Sequence, residues 1–193
     1  MKRSVLIALV LCLFGATAYA AEAPDRVGRW DLGVYGAGAM NDGEVDDAGY
    51  IGMSMSYGMT PYIRLGVSSG WQESDVDNAS EVETGSVDVM GDIIIQNPYL
   101  HDTLVPYLIV GLGVIGTYVT DENGIAPTNN GDDVDDTSFG WKIGAGLDWF
   151  VNDNWIVNFQ VAWLDSSNDL PGTTIDGDGG DYFLVGGGLK FAF

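Results

Sequence analysis

Eight charged residues stand inside stretches otherwise built from Val, Ile, Leu, Met, Trp and Gly: Arg29, Asp31, Arg64, Asp88, Asp92, Lys142, Asp148 and Lys190. Four are basic and four are acidic, so the set is neutral. A charge withdrawn from water is costly unless it is paired. Such a set is expected to work as an internal brace of ion pairs. A second group is made only of carboxylates. Asp132, Asp133, Asp135 and Asp136, together with Asp176, Asp178 and Asp181, offer the oxygen ligands that calcium and magnesium prefer. Their spacing does not match an EF-hand loop, so loosely bound Ca or Mg is the only cofactor expected. His101 is the sole histidine and Cys12 the sole cysteine. A zinc site or a nucleophile–base pair built on His therefore lacks its partners. Gly111-Leu-Gly113-Val-Ile-Gly116 has the dinucleotide-binding spacing. That motif needs a helix opening at it, and here the strand-like run continues to Tyr118. No pair of residues is marked out for catalysis, and the chain reads as non-enzymatic.

The elements that position these residues are strands. Alternation of period two runs through residues 28–40, 50–59, 62–72, 84–96, 104–120, 138–151, 154–164 and 182–193. All eight charges fall on the parity opposite to the large apolar residues. Residues 104–120 are apolar on both parities, and there Leu108, Val110, Leu112 and Val114 are assigned outward. The charged parity is otherwise small, with Gly33, Ser54, Gly66, Ser68, Gly140 and Gly146 among its members. Aromatics stand at segment ends: Trp30, Tyr57, Trp71, Trp141, Trp149, Trp155, Trp163, Phe191 and Phe193. A soluble sandwich or lipocalin-like binder would turn the apolar parity inward. A membrane barrel turns it to lipid, with aromatic girdles at both boundaries. Girdle and small-residue face together favour the barrel: all-β, eight-stranded, antiparallel and up-and-down.

The links support that reading. Thr60-Pro61 and Asn152-Asp153 are tight turns, and a somewhat longer link, residues 97–103, holds His101. The other four links, about 41–49, 73–83, 121–137 and 165–181, are long. They carry 20 of the 28 acids and no Lys or Arg. Short turns on one side and long loops on the other are the outer-membrane pattern. The overall balance of 7 Lys+Arg against 28 Asp+Glu, a formal charge of −21, repels phosphate backbones and excludes nucleic acid as a partner. A mean hydropathy of +0.10 nevertheless argues against a disordered polyanion.

Lys2 and Arg3, the apolar run from Val5 to Phe14 and Ala18-Tyr19-Ala20 have the form of a secretory signal peptide. Cleavage after Ala20 is expected. Residues 21–27 would then be a short periplasmic segment and 28–193 the barrel domain. Cys12 lies in the leader, so the mature chain would contain no thiol.

Trp30-Asp-Leu-Gly33-Val-Tyr35-Gly36, Pro106-Tyr107-Leu-Ile-Val-Gly111-Leu-Gly113, Gly144-Ala-Gly146-Leu-Asp148, Asn154-Trp155 and the terminal Leu189-Lys-Phe191-Ala-Phe193 resemble small eight-stranded outer-membrane β-barrel proteins of the OmpW-like and opacity-type porin group. The resemblance implies a monomer in contact with the lipid bilayer and lipopolysaccharide. It also implies delivery by periplasmic chaperones and the barrel-insertion machinery, with Leu189, Phe191 and Phe193 as the assembly signal. The resemblance implies small-molecule passage, stress adaptation or surface contact, whereas the acidic loops depart from the family pattern. Together with the carboxylates read above, two roles are expected: a narrow porin-like channel, or a structural, surface-contact protein whose acidic loops bind divalent cations.

Overall fold

A computed structural model describes residues 26–41, 48–75, 82–98, 103–121, 128–129, 132–133, 135–166 and 182–193. The expected leader, His101, Asp176, Asp178 and Asp181 lie outside them. The strands are β1 (Trp30–Asn41), β2 (Ala48–Gly58), β3 (Ile63–Asp75), β4 (Val82–Gln96), β5 (Leu104–Asp121), β6 (Thr128–Asn129), β7 (Asp132–Asp133), β8 (Asp135–Phe150), β9 (Trp155–Ser166) and β10 (Tyr182–Ala192). Eight of them close into an antiparallel barrel in the order β1-β10-β9-β8-β5-β4-β3-β2, while β6 and β7 form a separate two-stranded sheet. Every barrel neighbour is a chain neighbour except at one seam, where β1 meets β10 with Asp31 opposite Ala192 and Asn41 opposite Tyr182.

The expected strands are present, with edges moved at the long-loop end. β8 starts at Asp135 rather than near 138, and β3 continues to Asp75. The backbone ladder runs past the alternation there, because pairing needs no hydrophobic pattern once a strand has left the apolar zone. The β6–β7 hairpin within 121–137 was not foreseen.

At the opposite end the chain turns tightly, and local chemistry explains how. Thr60 Oγ1 accepts the backbone N–H groups of Tyr62 and Ile63 at 3.2 and 3.0 Å. Asn152 Oδ1 accepts those of Asn154 and Trp155 at 3.0 and 2.9 Å. Such side-chain caps are the reason Thr and Asn suit turns.

The outside of the barrel is apolar. Val34, Ile51 and Met53 are each more than 60% exposed, and Val67, Val89, Leu112, Phe139 and Phe159 are exposed beside them. In β5, Val110, Leu112 and Val114 face outward, whereas Val105, Tyr107, Ile109 and Ile115 are buried inside. Aromatics form two belts. Near the short turns Trp30 packs on Tyr57 at 4.9 Å, and Phe191 meets Trp155 edge-on at 5.1 Å. Toward the long loops Trp141 lies 6.3 Å from Trp163, and Trp71 Nε1 donates to Tyr118 OH at 2.7 Å. Trp155 and Trp163 are eight residues apart on β9. At about 3.3 Å per residue and a tilt near 40°, that separates the belts by roughly 20 Å along the axis. The distance suits the apolar band of an outer membrane.

Candidate functional site

The inward face holds the chemistry, and glycine makes room for it. Across the ladders Arg64 stands opposite Gly58, Asp92 opposite Gly66 and Gly111, Asp88 opposite Gly70, Lys142 opposite Gly111 and Lys190 opposite Gly33. A Cβ added at Gly33 would lie 2.7 Å from Lys190 Cγ. Tyrosine rings use the same device, since a side chain at Gly52 would strike the ring of Tyr35 and one at Gly146 the ring of Tyr107.

The charges sort into three levels. Nearest the short turns, Asp148 is the hub. Its Oδ1 accepts Lys190 Nζ at 2.8 Å and Asn158 Nδ2 at 2.8 Å. Its Oδ2 lies 3.0 Å from Arg26 Nη1 and 3.2 Å from Arg64 Nη2. Asp31 Oδ2 takes Arg64 Nη1 at 2.9 Å, Arg26 Nη2, and Ser56 Oγ at 3.3 Å. Tyr107 OH accepts Asn158 Nδ2 at 2.8 Å and donates to Gln160 Oε1 at 3.0 Å. At the middle level Lys142 Nζ pairs with Asp92, 2.9 Å from Oδ1, and donates to Ser68 Oγ at 2.6 Å. At the third level Asp88 accepts Tyr50 OH at 2.7 Å and Tyr182 OH at 3.2 Å. No ion pair to Asp88 is present among the described residues.

Arg29 is a correction. Expected in the lumen network, it sits at the rim, where its Nη2 donates to the backbone carbonyls of Asp153 at 3.0 Å and Ala192 at 3.2 Å. Gly28 just before it has φ +79°, which interrupts the strand, so the parity of β1 does not extend back to Arg29. Arg26, expected in a periplasmic segment, takes its place inside and is 4% exposed. Four cations, Arg26, Arg64, Lys142 and Lys190, thus still share the interior with four carboxylates.

Apolar layers cap the polar ones. Val105, Phe150, Ile156 and Ala192 cluster beside the short turns, with the Arg26 guanidinium 4.9 Å above the ring of Phe150. Toward the long loops Ala39, Tyr50, Met90, Ile115, Ala162, Leu164, Tyr182 and Leu184 pack together. Between the first two charge levels lies a cavity of about 20 Å³, lined by Ser54, Ser68, Asp92, Lys142, Asn158 and Lys190. It has room for about one water.

The other predicted residues are placed as follows. Leu189 and Phe191 face outward on β10, and Phe193, just past its end, is exposed and stacked 6.2 Å from Phe191. Asp132 and Asp133 form β7, and Asp135 and Asp136 open β8 opposite Tyr118 and Thr117. Gly111, Gly113 and Gly116 are interior positions of β5. The tyrosine and apolar layers were not anticipated. For Tyr35 and Tyr107 the signal is a Gly opposite across a ladder, Gly52 and Gly146, visible only once the register is known.

Comparison with known proteins agrees with this architecture. No curated protein matches in sequence. Among solved structures, the N-terminal β-barrel domain of Pseudomonas aeruginosa OprF is 18% identical, covering 86% of this chain and 98% of that one at a TM-score of 0.56. Neisserial surface protein A is 14% identical, covering 86% and 96% at 0.59. OprG from Pseudomonas aeruginosa is 13% identical, covering 90% and 99% at 0.57. At these identities the likeness is one of fold. The profile described as the outer membrane protein beta-barrel domain matches residues 6–191. These matches do not separate the OmpW-like from the opacity-type subgroup. Apolar exterior, paired girdles and family profile together place the protein in the outer membrane, and the chain belongs to the outer membrane protein beta-barrel domain family.

Proposed function

We propose that this barrel is a non-enzymatic scaffold with a closed lumen, which holds acidic loops at the cell surface. The filled interior carries the reading. Two ion-paired levels and a third, at which Tyr50 and Tyr182 hold Asp88, fill the interior together with two apolar clusters, around a cavity of about 20 Å³. Solute passage would require the Asp148 hub to come apart, with its carboxylate shared by Arg26, Arg64 and Lys190. The outward Leu189, Phe191 and Phe193 serve as the assembly signal in this reading, with chaperones and insertion machinery as transient partners and the monomer as the working form.

Planar-bilayer recording of the purified protein tests the scaffold directly. Current at baseline is expected for the native chain. A steady solute-permeable conductance, altered by Arg64→Ala or Lys142→Ala, would establish the narrow porin-like channel instead.

A further inference from the structure

The barrel has one closure that is not a hairpin, the β1–β10 seam, and it pairs residues 141 to 161 positions apart, from Asn41 with Tyr182 to Asp31 with Ala192. Closing so long a loop carries the largest entropy cost of any pairing in the sheet. The seam is also poor in side-chain contact, with Gly33, Gly36 and Gly38 on β1 and Gly186, Gly187 and Gly188 on β10. Residues 26–29 lie across it. On the β2 side, Gly28 N–H donates to Gly58 O at 2.9 Å and Gly58 N–H donates to Arg29 O at 3.0 Å. On the other side, Arg29 holds Ala192 O of β10 and Asp153 O of the β8–β9 turn. Arg26 joins Asp31 of β1 to Asp148 of β8 inside the mouth. The two backbones of Trp30 and Phe193 exchange hydrogen bonds of 3.0 and 2.9 Å directly beneath. Gly58 is required for the crossing, because a Cβ there would collide with Arg26 O.

We propose that residues 26–29 are a strap that locks the barrel's closing seam, making it the last contact formed in assembly and the first that must release on opening. Removing Arg26 would break two buried ion pairs and leave three interior cations against four carboxylates. Arg29 at the rim and Gly58 beneath the strap carry no part of that balance, so their loss reports the strap.

The test uses the mature chain refolded in detergent, with unfolding followed by heat-modifiable mobility and tryptophan fluorescence. Arg29→Ala, which removes the hydrogen bonds to Asp153 O and Ala192 O and leaves the buried ion pairs in place, is expected to lower the unfolding temperature by roughly 5 °C. Gly58→Ala, which displaces the strap and keeps both arginines, should act in the same direction. Each is then repeated on a barrel stapled by Gly38→Cys with Val185→Cys. These positions are register partners, and a side chain at Gly38 meets open space. With the disulfide oxidised, strap variants should unfold like the stapled parent, and reduction should restore the deficit. An equal deficit in the oxidised and reduced forms overturns the proposal, as does the absence of any deficit in the unstapled variants.

Discussion

Asp148 concentrates more of the interior's electrostatics than any other side chain. It is fully buried and is reached by Arg26, Arg64, Lys190 and Asn158. Removing one partner of a buried ion pair typically costs about 3–5 kcal/mol, because the survivor stays charged in a poor solvent. Asp148→Ala leaves Arg26, Arg64 and Lys190 facing Asp31 alone. A loss at the upper end of that range is expected in urea unfolding from micelles, against well under half of it for Ser68→Ala, which removes one neutral acceptor from Lys142. Gly146→Ala tests the packing counterpart. Its new methyl would enter the space of the Tyr107 ring, and overfilling a packed interior costs about 1–3 kcal/mol. Trimming the ring with Tyr107→Leu in the same chain should recover part of that loss. Independent, additive losses would show that the glycine does not seat the tyrosine.

At the level of the strands, sidedness is the property on which everything else depends. A lysine placed at Met53, outward and 61% exposed in the middle of β2, should cost about 2–4 kcal/mol near the bilayer midplane and much less near an interface. The same substitution at Met59, beyond the end of β2, is expected to be close to silent. Equal costs at both sites would contradict a lipid-facing exterior. This sidedness was legible before any coordinates, because one period-two pattern sets lipid face and lumen face together. Even β5, apolar on both parities, followed it at Val110, Leu112 and Val114. The pattern fails where the strand fails. Arg26 precedes the alternation, so no parity bears on it, and Gly28 breaks the parity that would otherwise turn Arg29 inward. The partners of Asp88 were hidden for a different reason. Tyr50 and Tyr182 belong to β2 and β10, and only the closed barrel brings them to one carboxylate.

Across the whole molecule the two charge populations behave oppositely. The interior set sums to zero, so the formal charge of −21 is almost entirely a property of the long links, which hold 20 of 28 acids and no base. The strand ends that these four links join stand at one end of the barrel, and like charges tethered there repel. In 0.1 M salt the screening length is about 10 Å, comparable to the roughly 10 Å between one strand and the next but one in the sheet. Monovalent salt therefore leaves part of the repulsion in place. Divalent cations that prefer carboxylate oxygens should relieve more of it at equal ionic strength. Millimolar calcium or magnesium is thus expected to raise the unfolding temperature above that in matched sodium chloride, and a chelator should reverse the gain. Neutralising Asp132, Asp133, Asp135 and Asp136 together to Asn should shrink the calcium response while leaving stability in sodium chloride unchanged or higher. An intact response in that quadruple variant would assign the ions to the other three loops. Identical unfolding with calcium and with chelator would leave the acidic rim as a hydrated surface that takes up no divalent ions.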